Sequence, residues 1–448
     1  MSQKKTLVFG SGISGIGAAN LLTKVGKEVL LYDGNKNIDV NKLQEQLEMP
    51  EKVEIVLGDF DENIIATLEL VVMSPGVPTD LPIVNKMRDS GIKISGEVEL
   101  AYTYGKGDVL AITGTNGKTT TTALLGEIMK NYKEEVFVVG NIGNPYTTAA
   151  MEMTEESIAV AEVSSFQLET IHTFRPCVSA ILNITPDHLN RHHTMEAYIG
   201  AKEDIAKNQT LEDTCVLNYE DEVTRKFGEN LNCEVLYFSS QRKLDKGIYL
   251  EEGNIIYKNG EELLVCAVEE LQLLGVHNYE NIMAASAMAL AYGVPLEIVQ
   301  RTVKSFAGVA HRIEFVCEKN GVAYYNDSKG TNPDAAIKAI QAMNRKTLLI
   351  GGGYDKDSEY EEWIEAFDGK VKHFVLLGQT KEKIAKAARN VGFDQIIMVD
   401  TLEEAVKTCA DLAEAGDAVL LSPACASWGM FKNYEERGDK FKEFVNAL

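Results

Sequence analysis

Apolar residues along this chain fall in short runs, each followed by a small or polar loop and then by a stretch with helical spacing. Residues 6 to 33, TLVFGSGISGIGAANLLTKVGKEVLLYD, read as a strand, a glycine loop, a helix and a second strand ending at Asp33. Leu70-Val-Val-Met73 is a further strand that stops at the turn Ser74-Pro-Gly76, and Ile92-Lys-Ile-Ser95 is another, after which GEVELAYTYG becomes helical. Asp108-Val-Leu-Ala-Ile-Thr113 is β-branched and apolar, the mark of a buried strand, and helical spacing resumes from Thr120. Val136–Val139, Ile158–Glu162 and the run from Ser179 read as strands, the last broken at Pro186. Ala197–Ala206 and the small-residue stretch that His277–Asn281 begins read as helices, and past residue 308 strands and helices alternate to the end. Alternation of this kind predicts parallel sheets covered by helices, an α/β protein. We set boundaries near residues 96 and 308, which gives domains 1–96, 97–308 and 309–448.

Bulk properties change this picture little. A chain of 448 residues exceeds what one domain ordinarily holds, and 45% apolar with 25% charged residues is a globular composition. The formal charge of −23 argues against a nucleic-acid or anionic-membrane binder, so any anionic ligand needs a locally basic pocket. Met1-Ser-Gln-Lys-Lys5 runs directly into a strand, no apolar run is long enough to span a bilayer, and seven cysteines are scattered singly. A soluble cytoplasmic protein without a zinc site is the expectation.

The candidate chemistry sits in the loops. Gly10-x-Gly12-x-x-Gly15 between strand and helix, with Asp33 trailing, is the dinucleotide-type βαβ fingerprint, and the first domain is expected to be Rossmann-like. Its ligand stays open among NAD(P), FAD and a UDP-sugar, whose pyrophosphates all suit a helix N-terminus. Ser74 and Gly76 stand at a strand's carboxyl end, either as ligand contacts or as a plain turn.

In the central domain, Gly114-Thr-Asn-Gly-Lys-Thr-Thr120 lies between strand and helix as a phosphate cradle, with Lys118 as a point charge and a threonine hydroxyl for Mg²⁺. It is a shortened form, since Ile112 stands where the usual motif has its first glycine. Gly140-Asn-Ile-Gly143 opens another loop, and Glu162 ends a core strand, where a carboxylate either holds a metal or faces solvent. Of the group Asp187, His188, Arg191, His192 and His193, His188 stands nearest the strand tip, whereas Asp187 and His192 read equally as helix caps or surface groups. Spacing alone makes Lys202 a solvated helix lysine and leaves Asn281 between a base contact and a cap.

In the last domain Asn326–Pro333, Ile350–Lys356 and Leu421–Phe431 each follow a strand. They should gather along one sheet edge and offer Lys329, Thr331, Lys356 and Ser427, with Arg312 nearby, to a dicarboxylate or phosphate. Cys425 lacks a neighbouring base in sequence and reads as a small buried thiol.

With no nucleophile for a covalent enzyme intermediate, the economical reaction for a phosphate loop flanked by two ligand domains is ATP-driven amide formation. The segments GTNGKTT, NITPDHLNRH, HNYEN, HRIE, NDSKGTN and LSPACAS with FKNYEERG occur along the whole chain in the order of the Mur ligase family, which the sequence resembles. The resemblance implies a UDP-binding Rossmann-like domain, a central P-loop-type ATPase domain and a Rossmann-like C-terminal domain. It implies addition of D-glutamate to UDP-N-acetylmuramoyl-L-alanine by a monomer, with ATP and two Mg²⁺ ions and without nucleic-acid or membrane partners.

Carried over by motif, Gly114, Thr115, Asn116, Gly117, Lys118, Thr119, Thr120, Asn281, Arg312 and Asp327 are similar to the ATP-binding positions. Gly12, Ile13, Ser14, Asp33, Ser74, Gly76 and Asn141 resemble the UDP-substrate set, and Lys329, Thr331, Lys356, Ser427 and Tyr434 the D-glutamate set. Thr119 and Glu162 resemble ligands of one metal, and His188 and a carbamoylated Lys202 those of a second, so the resemblance reverses the solvated reading of Lys202. Asn190 stands where relatives commonly have Asp, and Trp428 and Tyr434 depart from the amino-acid loop of relatives.

Rival readings each leave part of the chain idle. A family member adding L-alanine shares the glycine-rich first domain, whereas a folate polyglutamylating ligase usually lacks it. An NAD-dependent dehydrogenase explains residues 10 to 33 alone, and a P-loop switch only residues 111 to 120.

Overall fold

A computed structural model describes residues 4–355 and 358–448. These fall into two compact units: residues up to Ala267 with Glu280–Val303, and Val268–Tyr279 with Lys304–Leu448.

The first unit holds two sheets. β1 (Lys5–Phe9), β2 (Val29–Asp33), β3 (Val53–Leu57), β4 (Leu68–Met73) and β5 (Lys93–Gly96) form a parallel sheet in the order β3-β2-β1-β4-β5. The order reverses between β1 and β4, so the loops after these two strands, Gly10–Gly12 and Ser74–Gly76, flank the crevice where such sheets take ligands. The near-continuous apolar runs of β1 and β2 are explained by burial of both faces under helices.

The second sheet comprises β6 (Asp108–Thr113), β7 (Val136–Gly140), β8 (Ile158–Glu162), β9 (Val178–Ile181), β10 (Thr214–Asn218), β11 (Glu234–Ser239), β12 (Gly247–Glu251), β13 (Asn254–Asn259) and β14 (Glu261–Ala267). Their order is β14-β13-β12-β11-β10-β9-β6-β8-β7. β7 through β12 pair in parallel with β6 at their heart, and β12, β13 and β14 close one edge as an antiparallel ribbon. β6 lies between β8 and β9, so the loops leaving all three strands emerge side by side.

One apolar core runs through both sheets of this unit. Ala18 and Ala19 of the helix Ile13–Lys24, Leu100 and Ala101 of Glu97–Tyr104, and Tyr146, Ala149 and Ala150 of Tyr146–Ala150 pack in a single cluster with Val8, Ala111 and Ala161 from the strands. Gly17 is required there, because a Cβ would press on the Thr147 hydroxyl. The sequence boundary near residue 96 is therefore not a gap in packing.

The second unit is built on β15 (Glu314–Lys319), β16 (Val322–Asn326), β17 (Thr347–Gly351), β18 (Val371–Leu376), β19 (Ile396–Met398) and β20 (Ala418–Leu421), in the order β15-β16-β20-β17-β18-β19. Only β15 runs antiparallel to its neighbour. Trp363, Phe367, Phe374 and Phe393 meet edge to face in its core. Among the described residues, no helix is long and apolar enough to cross a membrane.

Candidate active site

The phosphate loop leaves β6 and enters the helix Lys118–Lys130, whose N-cap Gly117 is left-handed at φ 86°. The N-terminus of that helix, the positive end of its dipole, suits an anion. A Cβ at Gly117 would strike the side-chain oxygen of Asn281, which fixes how closely the helix Val276–Tyr292 approaches the loop. Asn281 is thus buried inside its helix, with Thr121 Oγ1 3.4 Å from its oxygen, and does not cap. His277–Asn281 opens this helix, as the sequence suggests.

Two lysines converge on one carbonyl. Lys118 Nζ donates to Gly114 O at 2.8 Å and to Thr115 O at 2.9 Å, and Lys202 Nζ donates to the same Gly114 O at 2.7 Å. Lys202, on the helix Met195–Glu203, is 2% exposed and lies 4.7 Å from the Tyr198 ring centre. This corrects the solvated reading that spacing alone gives it. Burial first, and the Lys118 charge second, bring its amine down to about 7. Paired cations at a helix N-terminus make a pocket for a polyanion in an otherwise acidic protein.

Glu162 ends β8 opposite Ile112 of β6 and Gly140 of β7. It is 1% exposed; Oε1 accepts from Asn141 Nδ2 at 2.8 Å, and Oε2 is buried without a partner. Leaving a carboxylate oxygen so costs about 1–3 kcal/mol or more, a cost that a cation would offset. The donor set therefore fits Mg²⁺, with half-buried Thr119 at the helix start. His188 follows β9 at φ 52°, exposed, its amide on the Asp187 carboxylate at 2.8 Å. His192 is neither cap nor surface group: it is buried, stacked on Phe166, and burial above all holds its imidazole near 4.

At the first sheet, a Cβ at Gly15 would run into the Gly10 carbonyl, and Ser74 Oγ donates to that carbonyl at 3.1 Å. Asp33 holds the loop from the other side, accepting from Ser11 N at 2.9 Å and Ser11 Oγ at 2.7 Å. A Cβ at Gly12 or Gly76 would meet open space, Ser14 is half-buried, and Ile13 stands 75% exposed at the crevice.

In the second unit Asp327 is buried, with Oδ2 accepting from Ser422 Oγ at 2.7 Å, and burial raises its carboxyl to about 7. Arg312 is exposed. Lys329 Nζ lies 5.7 Å from the Tyr434 ring centre, Thr331 is half-buried, and Ser427 is buried, its carbonyl accepting from Phe431 N at 3.0 Å. Lys356 lies outside the described residues. Cys425 is the buried thiol expected, 3.2 Å from Tyr360 Oη and 3.3 Å from Thr380 Oγ1.

Residues 4–96 match the Mur ligase MurD-like N-terminal domain, residues 112–289 the Mur ligase middle domain, and residues 311–425 the Mur ligase glutamate ligase domain. The UDP-N-acetylmuramoylalanine--D-glutamate ligase of Lachnoclostridium phytofermentans is 58% identical over 99% of this chain and 98% of its own. The chain belongs to the Mur ligase family. The enzyme of that name from Clostridioides difficile is 47% identical to this Mur ligase over 99% of each chain. The solved structures of UDP-N-acetylmuramate-alanine ligase MurC from Thermotoga maritima (TM-score 0.59, 20% identical, 99% of both chains) and MurF from Acinetobacter baumannii (TM-score 0.60, 17% identical, 99% and 94%) share its fold. The expected three-domain α/β architecture is thereby borne out.

Three residues of this Mur ligase escape the reading by motif. Asn183 clamps the phosphate loop, accepting from Asn116 N at 2.8 Å and donating to Asn116 O at 3.1 Å. Glu97, buried and raised by burial to about 7, accepts from Gln167 Nε2 at 2.6 Å. Arg437, also buried, donates to Ser328 Oγ, Ser328 O and Cys425 O at 2.8–3.0 Å, tying two of the loops at the third sheet together. Asn183 stands within NITPDHLNRH and Arg437 within FKNYEERG, so position in a motif was the available signal; Glu97 had none beyond an acidic residue at a helix start.

Proposed function

We propose that this Mur ligase adds D-glutamate to UDP-N-acetylmuramoyl-L-alanine in the cytoplasm, splitting ATP to ADP and phosphate. A carboxylate oxygen of the UDP substrate attacks the γ-phosphorus as the bond to ADP breaks, giving an acyl phosphate. The deprotonated amine of D-glutamate then attacks the acyl carbon, the amide forms, and phosphate leaves with the excess proton lost to solvent. The protein's part is positioning and charge neutralisation.

The observation that carries this reading is the convergence of Lys118 and Lys202 on Gly114 O beside Glu162, whose Oε2 is buried and unpartnered. Lys118 neutralises the β- and γ-phosphates, with Gly114–Gly117 and Thr120 around them and Asn281, Arg312 and Asp327 for adenine, phosphate and ribose. Thr119 and Glu162 would hold one Mg²⁺, and His188 with a carbamate on Lys202 a second; when bound, the metals screen phosphate charge. Gly12, Ile13, Ser14, Asp33, Ser74 and Gly76 take the UDP substrate, with Asn141 near its reacting carboxyl. Lys329, Thr331, Lys356, Ser427 and Tyr434 take D-glutamate. Support for domain boundaries near 96 and 308 comes from the family matches: the first ends at 96, the second covers 112–289 and the third begins at 311.

The test is ADP release with UDP-N-acetylmuramoyl-L-alanine present and amino acids added singly. D-glutamate alone should stimulate it; release indifferent to D-glutamate would sink the reading, and stimulation by L-alanine with UDP-N-acetylmuramate would favour the L-alanine branch.

A further inference from the structure

Glu169, directly after the helix Ser165–Leu168, joins three loops at the carboxyl edges of the first unit's sheets. Its Oε2 accepts from Thr79 Oγ1 at 3.1 Å and from Arg191 Nη2 at 3.4 Å, and its Oε1 lies 3.2 Å from His192 Nδ1. Arg191 Nη2 also donates to Val77 O at 3.0 Å, with its guanidinium 4.8 Å from the Phe166 ring centre. His192 Nε2 is 2.9 Å from Ser165 Oγ. The partners come from the loop after β4, which carries Ser74 and Gly76; the loop after β8, which follows Glu162; and the loop after β9, which carries His188. A carboxylate suits this junction because both of its oxygens accept: one serves a hydroxyl and a guanidinium while the other faces the ring.

Ser165, His192 and Glu169 stand in the order of a hydrolytic relay, but Ser165 is 2% and His192 6% exposed, so no acyl group reaches the hydroxyl. The line fixes loops instead. We propose that Glu169 is a positioning residue that holds the first-domain loop 74–80 in register with the phosphate and metal loops, so that the UDP substrate's carboxylate is presented to the γ-phosphate. The ligand named here rests on the function proposed above; the lock itself does not.

Amide hydrogen exchange on the full-length protein without substrates tests the lock. Glu169→Gln should speed exchange over residues 76–80 and 189–193 by roughly tenfold, the scale set by losing a hydrogen bond to a charged group. Thr79→Val, a milder change that leaves the helix and core untouched, should do so over 76–80 alone, and Thr79→Ser, which keeps the hydroxyl, should restore wild-type exchange. Unchanged exchange in Glu169→Gln and Thr79→Val overturns the lock. In turnover, Thr79→Val and Glu169→Gln should raise KM for the UDP substrate about tenfold with KM for ATP within about twofold. Equal rises in both, or a fall in kcat alone, would overturn the positioning role. If the wild type turns over no such substrate, the function reading falls while the exchange result still decides the lock.

Discussion

At about 7, the proton affinity of Lys202 leaves roughly half of this amine neutral near neutral pH, where an ordinary lysine is almost wholly charged. Only the neutral amine attacks CO₂: the N–C bond forms as one C=O π bond opens to a carboxylate, one proton leaves to solvent, and the neutral amine becomes a carbamate anion near Lys118. The sign follows from the cause, because burial penalises the charged form, so carbamate should be scarce well below pH 7 and increase as pH rises through it. With ¹³C-bicarbonate, a carbamate resonance should appear in wild type and vanish in Lys202→Ala. That variant should lose activity by at least about a hundredfold, and added short carboxylic acids should restore part of it. Full activity in the variant would end the carbamate role. The sequence placed Lys202 on a helix, but its burial depends on Tyr198 and the Gly114 carbonyl, which spacing along one helix does not reveal.

The element that matters most is the turn from β6 into its helix. Gly117 is bound to glycine twice over, by its positive φ and by Asn281 against the place a Cβ would occupy. Gly117→Ala should cost about 1–3 kcal/mol of stability in thermal or urea unfolding and raise KM for ATP, since the amides around the anion move with the turn. A variant as stable and as tight for ATP as wild type would contradict this account. The strand, loop and helix were legible in the run from Asp108 to Thr120 because their periods change sharply there. The β12–β14 ribbon was not read out, since its short strands of mixed apolar and charged residues carry a weaker pattern.

For the whole molecule, a formal charge of −23 with Lys118 and Lys202 paired at the phosphate loop suits small anionic ligands reached by diffusion rather than a large nucleic-acid partner. We expect the protein to act as a monomer, and sedimentation equilibrium should return a mass near 49.3 kDa across micromolar concentrations. A mass near twice that would refute the monomer. The two units differ in how they tie their loops: Asn183, Glu169 and Asn281 in the first, the buried Arg437 in the second.

The sequence by itself determined the α/β class, the phosphate loop, the glycine fingerprint and the family, because each is written in contiguous residues whose spacing and chemistry act locally. Tertiary structure alone decided that Lys202 and His192 are buried, that Glu162 keeps an unpartnered oxygen, and that Glu169 joins three loops. Those properties depend on desolvation and on contacts between residues far apart in the chain, such as the 90 positions separating Thr79 from Glu169, which no local pattern encodes.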